Sequence, residues 1–173
     1  MSLQYRSSVR RKEIEFGNKL LLVESVQGFI VDWELFKEKV PADSKTLQSS
    51  VERIEKGLKI QISKVVTDRG FESEDNQQFL KREEIYNGMC PKSPEVMKER
   101  MQDPVFADLQ KRRSQTEARI GIFKNVFLGG RLRAKGFENR KRALAWAVLA
   151  HNLWVLVRME WREEEATDKP KAA

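Results

Sequence analysis

Histidine and cysteine each occur once in the 173 residues, as His151 and Cys90. One cysteine allows no disulfide within the chain and no cysteine-based zinc site. Such usage fits a reducing, cytoplasmic setting, with Cys90 as a small buried thiol. A single histidine inside an apolar helical stretch reads as a hydrogen-bonded core residue, not as a metal ligand or a triad member. No glycine-rich loop is followed by Lys and Ser/Thr, so the phosphate-cradling motif of nucleotide hydrolases is absent. Long hydrophobic runs are missing too. The most apolar stretch, "ALAWAVLAHNLWVLV", is Ala143–Val157, short of the ~20 residues that span a bilayer, so it reads as a buried core helix and no membrane partner is expected. The opening "MSLQYRSSVRRKEIEFG" has cations but no apolar centre and is not expected to act as a signal peptide. No internal repeat is visible.

What the chain has in excess is positive charge. Lys and Arg number 33 against 26 Asp and Glu, a net +7. That balance favours a polyanionic partner, of which nucleic acid is the commonest; an incidentally basic protein has the same composition. The length suits one domain that buries roughly 70% of its unfolded surface. Residues 1–12 and 163–173 lack apolar pattern and read as solvated, disordered tails around a domain at 13–162.

Two apolar runs, "NKLLLVES" and "GFIVDWELF", are joined by "VQG" and predict an antiparallel hairpin. Leu47, Val51, Ile54 and Leu58 recur at helical spacing after Pro41, with Asp43 or Ser44 as the cap. "KVVTDRGF" gives a brief strand, Val65–Thr67, ending on Asp68. "SEDNQQFLKRE" opens with a capping Ser73 and acids. "EIYNGMCP" is a short strand, and "PKSPEVMKERMQDP", with three prolines, reads as a loop or small insertion. A helix from about Val105 to Leu128 stops at Gly129 and Gly130. The last element, about Glu138 to Trp161, is apolar almost all round and is expected to be buried. The four tryptophans, 33, 146, 154 and 161, read as packing residues. The order predicts a mixed α/β domain with helices on a sheet.

Two carboxylates stand out. Asp68 follows a strand directly, where ligands and metals gather at the carboxyl ends of α/β sheets; the same residue could simply cap the turn. Glu117 sits among cations in "RRSQTEARIGIFK", with Arg113 four residues before it and Lys124 seven after, on one narrow helical face. The plainer account pairs Glu117 with Arg113, worth ~0.2–0.5 kcal/mol. Together, two carboxylates on a strand end and a later helix of a basic protein form the pattern of two-metal phosphoryl transfer on DNA or RNA. Carboxylates hold the ions there, and Arg and Lys neutralise phosphates.

Over residues 14–160 the chain resembles the DDE transposases of bacterial insertion sequences, whose catalytic core is ribonuclease H-like. The most specific motif is Arg-x3-Glu-x6-Lys, met by Arg113, Glu117 and Lys124; the Tyr that precedes it in the family is Gln110 here. "VVTDRGFES" resembles the segment bearing the second catalytic Asp, at Asp68. "EFGNKLLL…GFIVDWEL…VPADSKTL" resembles the preceding hairpin and helix start, and "RLRAKGFENRKRALAWAVLAHNLWVL" the C-terminal helix. The resemblance implies a ribonuclease H-like mixed sheet flanked by helices, with a long C-terminal helix. The first strand, with its catalytic Asp, is expected to be missing, because residues 1–12 contain no Asp. Asp32 and Asp43 match later family positions. It further implies the C-terminal part of a transposase that cuts and joins DNA, with Asp68 and Glu117 as catalytic ligands of Mg²⁺ or Mn²⁺. Arg113, Lys124 and Arg69 would contact phosphate or support the site. DNA would be the partner, and a homodimer is a compatible assembly. With one ligand lacking, this chain is expected to be inactive; the alternative is a non-catalytic, basic nucleic-acid-binding module.

Overall fold

The computed structural model describes residues 2–7, 18–37, 40–130 and 132–167. Five strands form one sheet in the order β3-β2-β1-β4-β5. They are β1 (Ser2–Ser7), β2 (Leu20–Ser25), β3 (Ile30–Leu35), β4 (Lys64–Thr67) and β5 (Tyr86–Met89). The helices are α1 (Leu47–Leu58), α2 (Glu74–Arg82), α3 (Pro94–Arg100), α4 (Pro104–Ile122) and α5 (Phe137–Thr167). β1 is antiparallel to β2 and parallel to β4, and β4 is parallel to β5.

The central place of β1 corrects the expectation of a missing first strand and of an N-terminal tail through residue 12. "SLQYRS" has only two apolar residues, Leu3 and Tyr5, too few for an alternation signal, and its strand state comes from pairing on both edges. Residues 8–12, the rest of that tail, lie with 13–17 outside the described residues. At the other end α5 continues to Thr167, past the expected boundary at 162; residues 168–173 lie outside the described residues.

The hairpin forms as its alternation requires, with Gly28 at φ +100° in the turn and a bulge between Val23 and Glu24. α1 occupies the expected span, but neither Asp43 nor Ser44 caps it. Asp43–Lys45 form a single 3₁₀ turn and Thr46 is the N-cap, without a side-chain cap bond. Ser73 does cap α2 by accepting from the Asn76 N–H. The proline-rich stretch read as a loop contains α3. Ser93 caps it and Pro94 takes the first helical position, where a missing N–H costs nothing.

Residue parity divides the sheet into two faces. Leu21, Val23 and Val65 pack with Leu47, Val51 and Ile54 of α1 and Phe79 and Leu80 of α2. On the other face Leu20 and Leu22 pack with Phe123 and with Leu144, Ala147 and Val148 of α5. His151 is a buried core residue, edge-on to Phe123 and Phe127 at ring-centroid distances of 5.6 and 5.1 Å. Its neighbour Asn152 accepts from the Ile30 N–H and donates to the Ile30 carbonyl, both at 2.9 Å, tying α5 to β3.

α4 crosses this second face along one row of residues. Pairing puts Gly88, Val66, Gln4 and Glu24 side by side on β5, β4, β1 and β2. Gln110 donates to the Gly88 carbonyl at 2.9 Å, and Arg119 lies 2.5 Å from the Glu24 carboxylate. Nine residues at ~1.5 Å rise cover about 14 Å, and three strand spacings of ~4.8 Å cover the same. Residues near 113–116 therefore lie above β4 and β1. Glycine is required at 88, because a Cβ there would stand 2.7 Å from the Val65 carbonyl oxygen and 3.2 Å from Leu109 Cδ1. Gly88→Ala should lower stability by ~1–3 kcal/mol through this overpacking, read as a lower urea midpoint; an unchanged midpoint would show that α4 does not rest so closely on β5.

Glu24 is buried beneath α4, beside Thr116 and Arg119. Burial pushes its carboxyl up from about 4.5 to about 7, against the opposing pull of Arg119 and Thr116. The ion pair is close, but Glu24 Oε1 and Arg119 Nε are not aligned as a hydrogen bond, so desolvation prevails. The folded chain thus holds this proton more tightly than the unfolded one. The resulting stability is complete below about pH 4.5 and is lost as pH rises through about 7. Burial also lowers the His151 pKa from its usual 6.5, so that residue stabilises above that pH and ceases to as pH falls. Glu24→Gln should abolish a decline on the order of 2–3 kcal/mol across the rising limb and leave the histidine limb. Urea midpoints measured from pH 4 to 8 that run parallel in the two proteins would refute the assignment.

Candidate functional site

Asp68 ends the parallel strand β4, one residue beyond Thr67, which pairs with Tyr5 of β1. Its extended backbone (φ −77°, ψ 178°) turns the chain into a one-turn 3₁₀ helix, Arg69–Phe71, and its Oδ1 accepts the Gly70 N–H at 3.1 Å. The turn-capping role foreseen for Asp68 is therefore real. It occupies one carboxylate oxygen and leaves the half-buried group at the carboxyl end of the central strands. Arg69 is exposed beside it.

The structure brings a second carboxylate here that sequence reading set aside. A Cβ placed on Gly70 would meet Asp43 Oδ2 at 2.7 Å and Asp68 Oδ1 at 3.3 Å. The two oxygens are thus separated by no more than the sum of those distances. The 3₁₀ turn before α1 delivers Asp43, and Lys19 at the foot of β2 pairs with it while donating to the Pro41 carbonyl at 2.9 Å. Only long-range packing of the two 3₁₀ turns joins positions 43 and 68. The available sequence signal was the shared pattern of an Asp at the entry to a helical turn.

Glu117 and Arg113 are half-buried on α4 and form the anticipated i,i+4 pair, Nη1 to Oε1 at 3.2 Å. Arg113 Nε also donates to Gln110 Oε1 at 3.2 Å. Gln110, the position that departs from the family tyrosine, thus links the Gly88 backbone to Arg113 and Glu117 in one chain of hydrogen bonds. Lys124 falls beyond a change of helix type. Phe123–Phe127 is π-helical, with the Leu128 N–H donating to the Phe123 carbonyl. The regular 3.6-residue phase linking Arg113 and Glu117 therefore does not extend through Lys124. Gly129 and Gly130 terminate the segment at φ +65° and +83°, as the sequence suggested.

Among the described residues, no three His, Cys, Asp or Glu side chains form a group that could hold a metal ion. Asp43 is neutralised by Lys19, and Glu117 is engaged by Arg113. The described side chains do not make up a two-metal centre.

The family of the transposase DDE domain matches residues 8–153, most of the chain. No curated protein matches it. Among solved structures, the catalytic core domain of BIV integrase aligns with a TM-score of 0.50 at 10% identity, covering 86% of this chain and 81% of that one. A chain of the simian T-cell lymphotropic virus intasome, solved in complex with the PP2A regulatory subunit B56 gamma, aligns with a TM-score of 0.48 at 16% identity. That alignment covers 85% of this chain and 46% of the other. The integrase core likeness is one of fold and agrees with the sheet order and helical layers described above, which are ribonuclease H-like. With a match that runs from just beyond β1 into the middle of α5, the chain belongs to the transposase DDE domain family.

Proposed function

We propose that this chain is the C-terminal part of a DNA transposase and is catalytically incomplete by itself. The observation that carries the reading is the position of Asp68. It lies within a transposase DDE domain match, at the carboxyl end of a central parallel strand, on a sheet crossed by the helix that bears Glu117. In the intact parent, strand cleavage and transfer would use Asp68 and Glu117 as ligands of Mg²⁺ or Mn²⁺. Divalent metals are the general cofactors of this family, and they supply an activated attacking oxygen and a stabilised leaving one. Arg69, Arg113 and Lys124 would neutralise phosphate or orient Glu117.

Incompleteness rests on the composition of β1. The strand next to β4 reads Ser-Leu-Gln-Tyr-Arg-Ser, with no carboxylate. Asp43 stands near Asp68 but is compensated by Lys19. Mg²⁺ demands near-octahedral order, which a partial ligand set supplies poorly. The chain would then act as a basic DNA-binding module, for which its net +7 is the supporting observation.

The purified chain, given duplex DNA and Mg²⁺ or Mn²⁺, should neither nick nor join it. Metal-dependent cleavage that Asp68→Asn abolishes would sink the claim of incompleteness. The same preparation should retain DNA without sequence preference, with a Kd on the order of 10⁻⁴–10⁻⁶ M at physiological salt, weakening steeply as salt rises. Salt-insensitive or sequence-selective binding would contradict the phosphate-dominated mode.

A further inference from the structure

α5 carries two apolar faces. Leu144, Ala147, Val148, His151 and Val155 are buried against the domain. On the opposite side Trp146, Leu149, Leu153 and Leu156 are exposed, Trp146 by 70% and Leu153 by 54%. Their steps of three, four and three residues are those of a coiled-coil seam, which meets the matching seam of another helix. An apolar helix face of this kind, left in water, marks an interaction surface.

Charge identifies the partner. The exposed residues that extend the same seam are Arg142 at its start and Glu160 at its end. A second α5 laid antiparallel, with the two-fold axis at residue 151, sets Leu149 against Leu153 and Trp146 against Leu156. The same register sets Arg142 against Glu160, each contact occurring twice, as an isologous interface requires. A parallel pairing would oppose Arg142 to Arg142 and Glu160 to Glu160 and be repulsive.

We propose that the exposed stripe of α5 is the interface of an antiparallel homodimer, with a second copy of this chain as its occupant. The inference stands on helix phase and charge, independent of the transposase reading.

Sedimentation of the full chain over a concentration series tests it. The wild type should pass from monomer to dimer. Arg142→Glu and Glu160→Arg should each raise the dimer Kd about tenfold, and the double swap should restore it. Leu153→Glu should give a monomer with unaltered circular dichroism and, at concentrations where the wild type is itself monomeric, an unaltered urea midpoint, since that side chain is outside the domain core. A wild type monomeric at the highest concentration reached would overturn the proposal and leave the stripe to a different partner. A dimer indifferent to the single swaps, or one that the double swap fails to rescue, would overturn it equally.

Discussion

The structure depends on α4 lying across the sheet in a single register. A helix can rest along a row of strand residues only where its rise and the strand spacing agree at both ends. Here the hydrogen bond from Gln110 to the Gly88 carbonyl fixes one end and the Arg119–Glu24 pair the other. The absence of a side chain at Gly88 brings the helix down onto β5 and β4. Arg113 and Glu117 are placed above the central strands as a consequence. A slip by one residue would turn both to a different side of the helix, by about 100°.

The two anchors differ in kind. At the β5 end a neutral amide meets a backbone carbonyl in a buried setting, a bond whose loss would leave two polar groups unsatisfied. At the β2 end a buried carboxylate meets a guanidinium, and the cost of removing Glu24 from water exceeds what Arg119 returns. The second anchor therefore contributes specificity of placement more than stability, and it links the seating of α4 to pH. α5 closes over the same region, since Val155 and Arg119 both come within 4.0 Å of a Cβ placed at Gly28. The hairpin turn, the crossing helix and the C-terminal helix thus converge on one buried charge.

Local sequence made legible those elements whose state is set by a strong period or by punctuation. The hairpin, α1, β4, α2, β5 and the glycine stop after α4 all carry such signals. β1 carried none, because a central strand with few apolar residues is recognisable only by its partners on both edges. α3 was hidden by prolines that open a helix when they stand at its first position. The C-terminal helix was read as wholly buried from its composition, yet Trp146 and Trp161 are 70% and 61% exposed; composition gives the extent of apolar surface but not whether this chain supplies its cover. At the candidate site, Asp68 and the Arg113–Glu117 pair were legible because strand end and helical spacing are local. Asp43 was not, since nothing near position 43 reveals that one 3₁₀ turn packs on another.

Several acids of this fold that lie near the sheet and α4 are matched to cations within it. Asp43 pairs with Lys19, Asp32 and Glu34 with Arg53, Glu24 with Arg119, and Glu117 with Arg113. Each pairing joins separate elements or stiffens one helix, so these carboxylates serve architecture first. A cation paired in this way adds no net charge, so the +7 arises from other Lys and Arg side chains. Arg69 is one, exposed beside Asp68, and Arg140–Arg142 gather three more at the start of α5. On the proposed reading, such surplus positive charge would draw a phosphate backbone to the chain whatever the state of a metal site. If the chain acts on DNA as proposed, attraction and cleavage would have separable requirements. The first would need only the surplus of cations, and the second would need a further carboxylate beside Asp68, a type of residue that β1 does not carry.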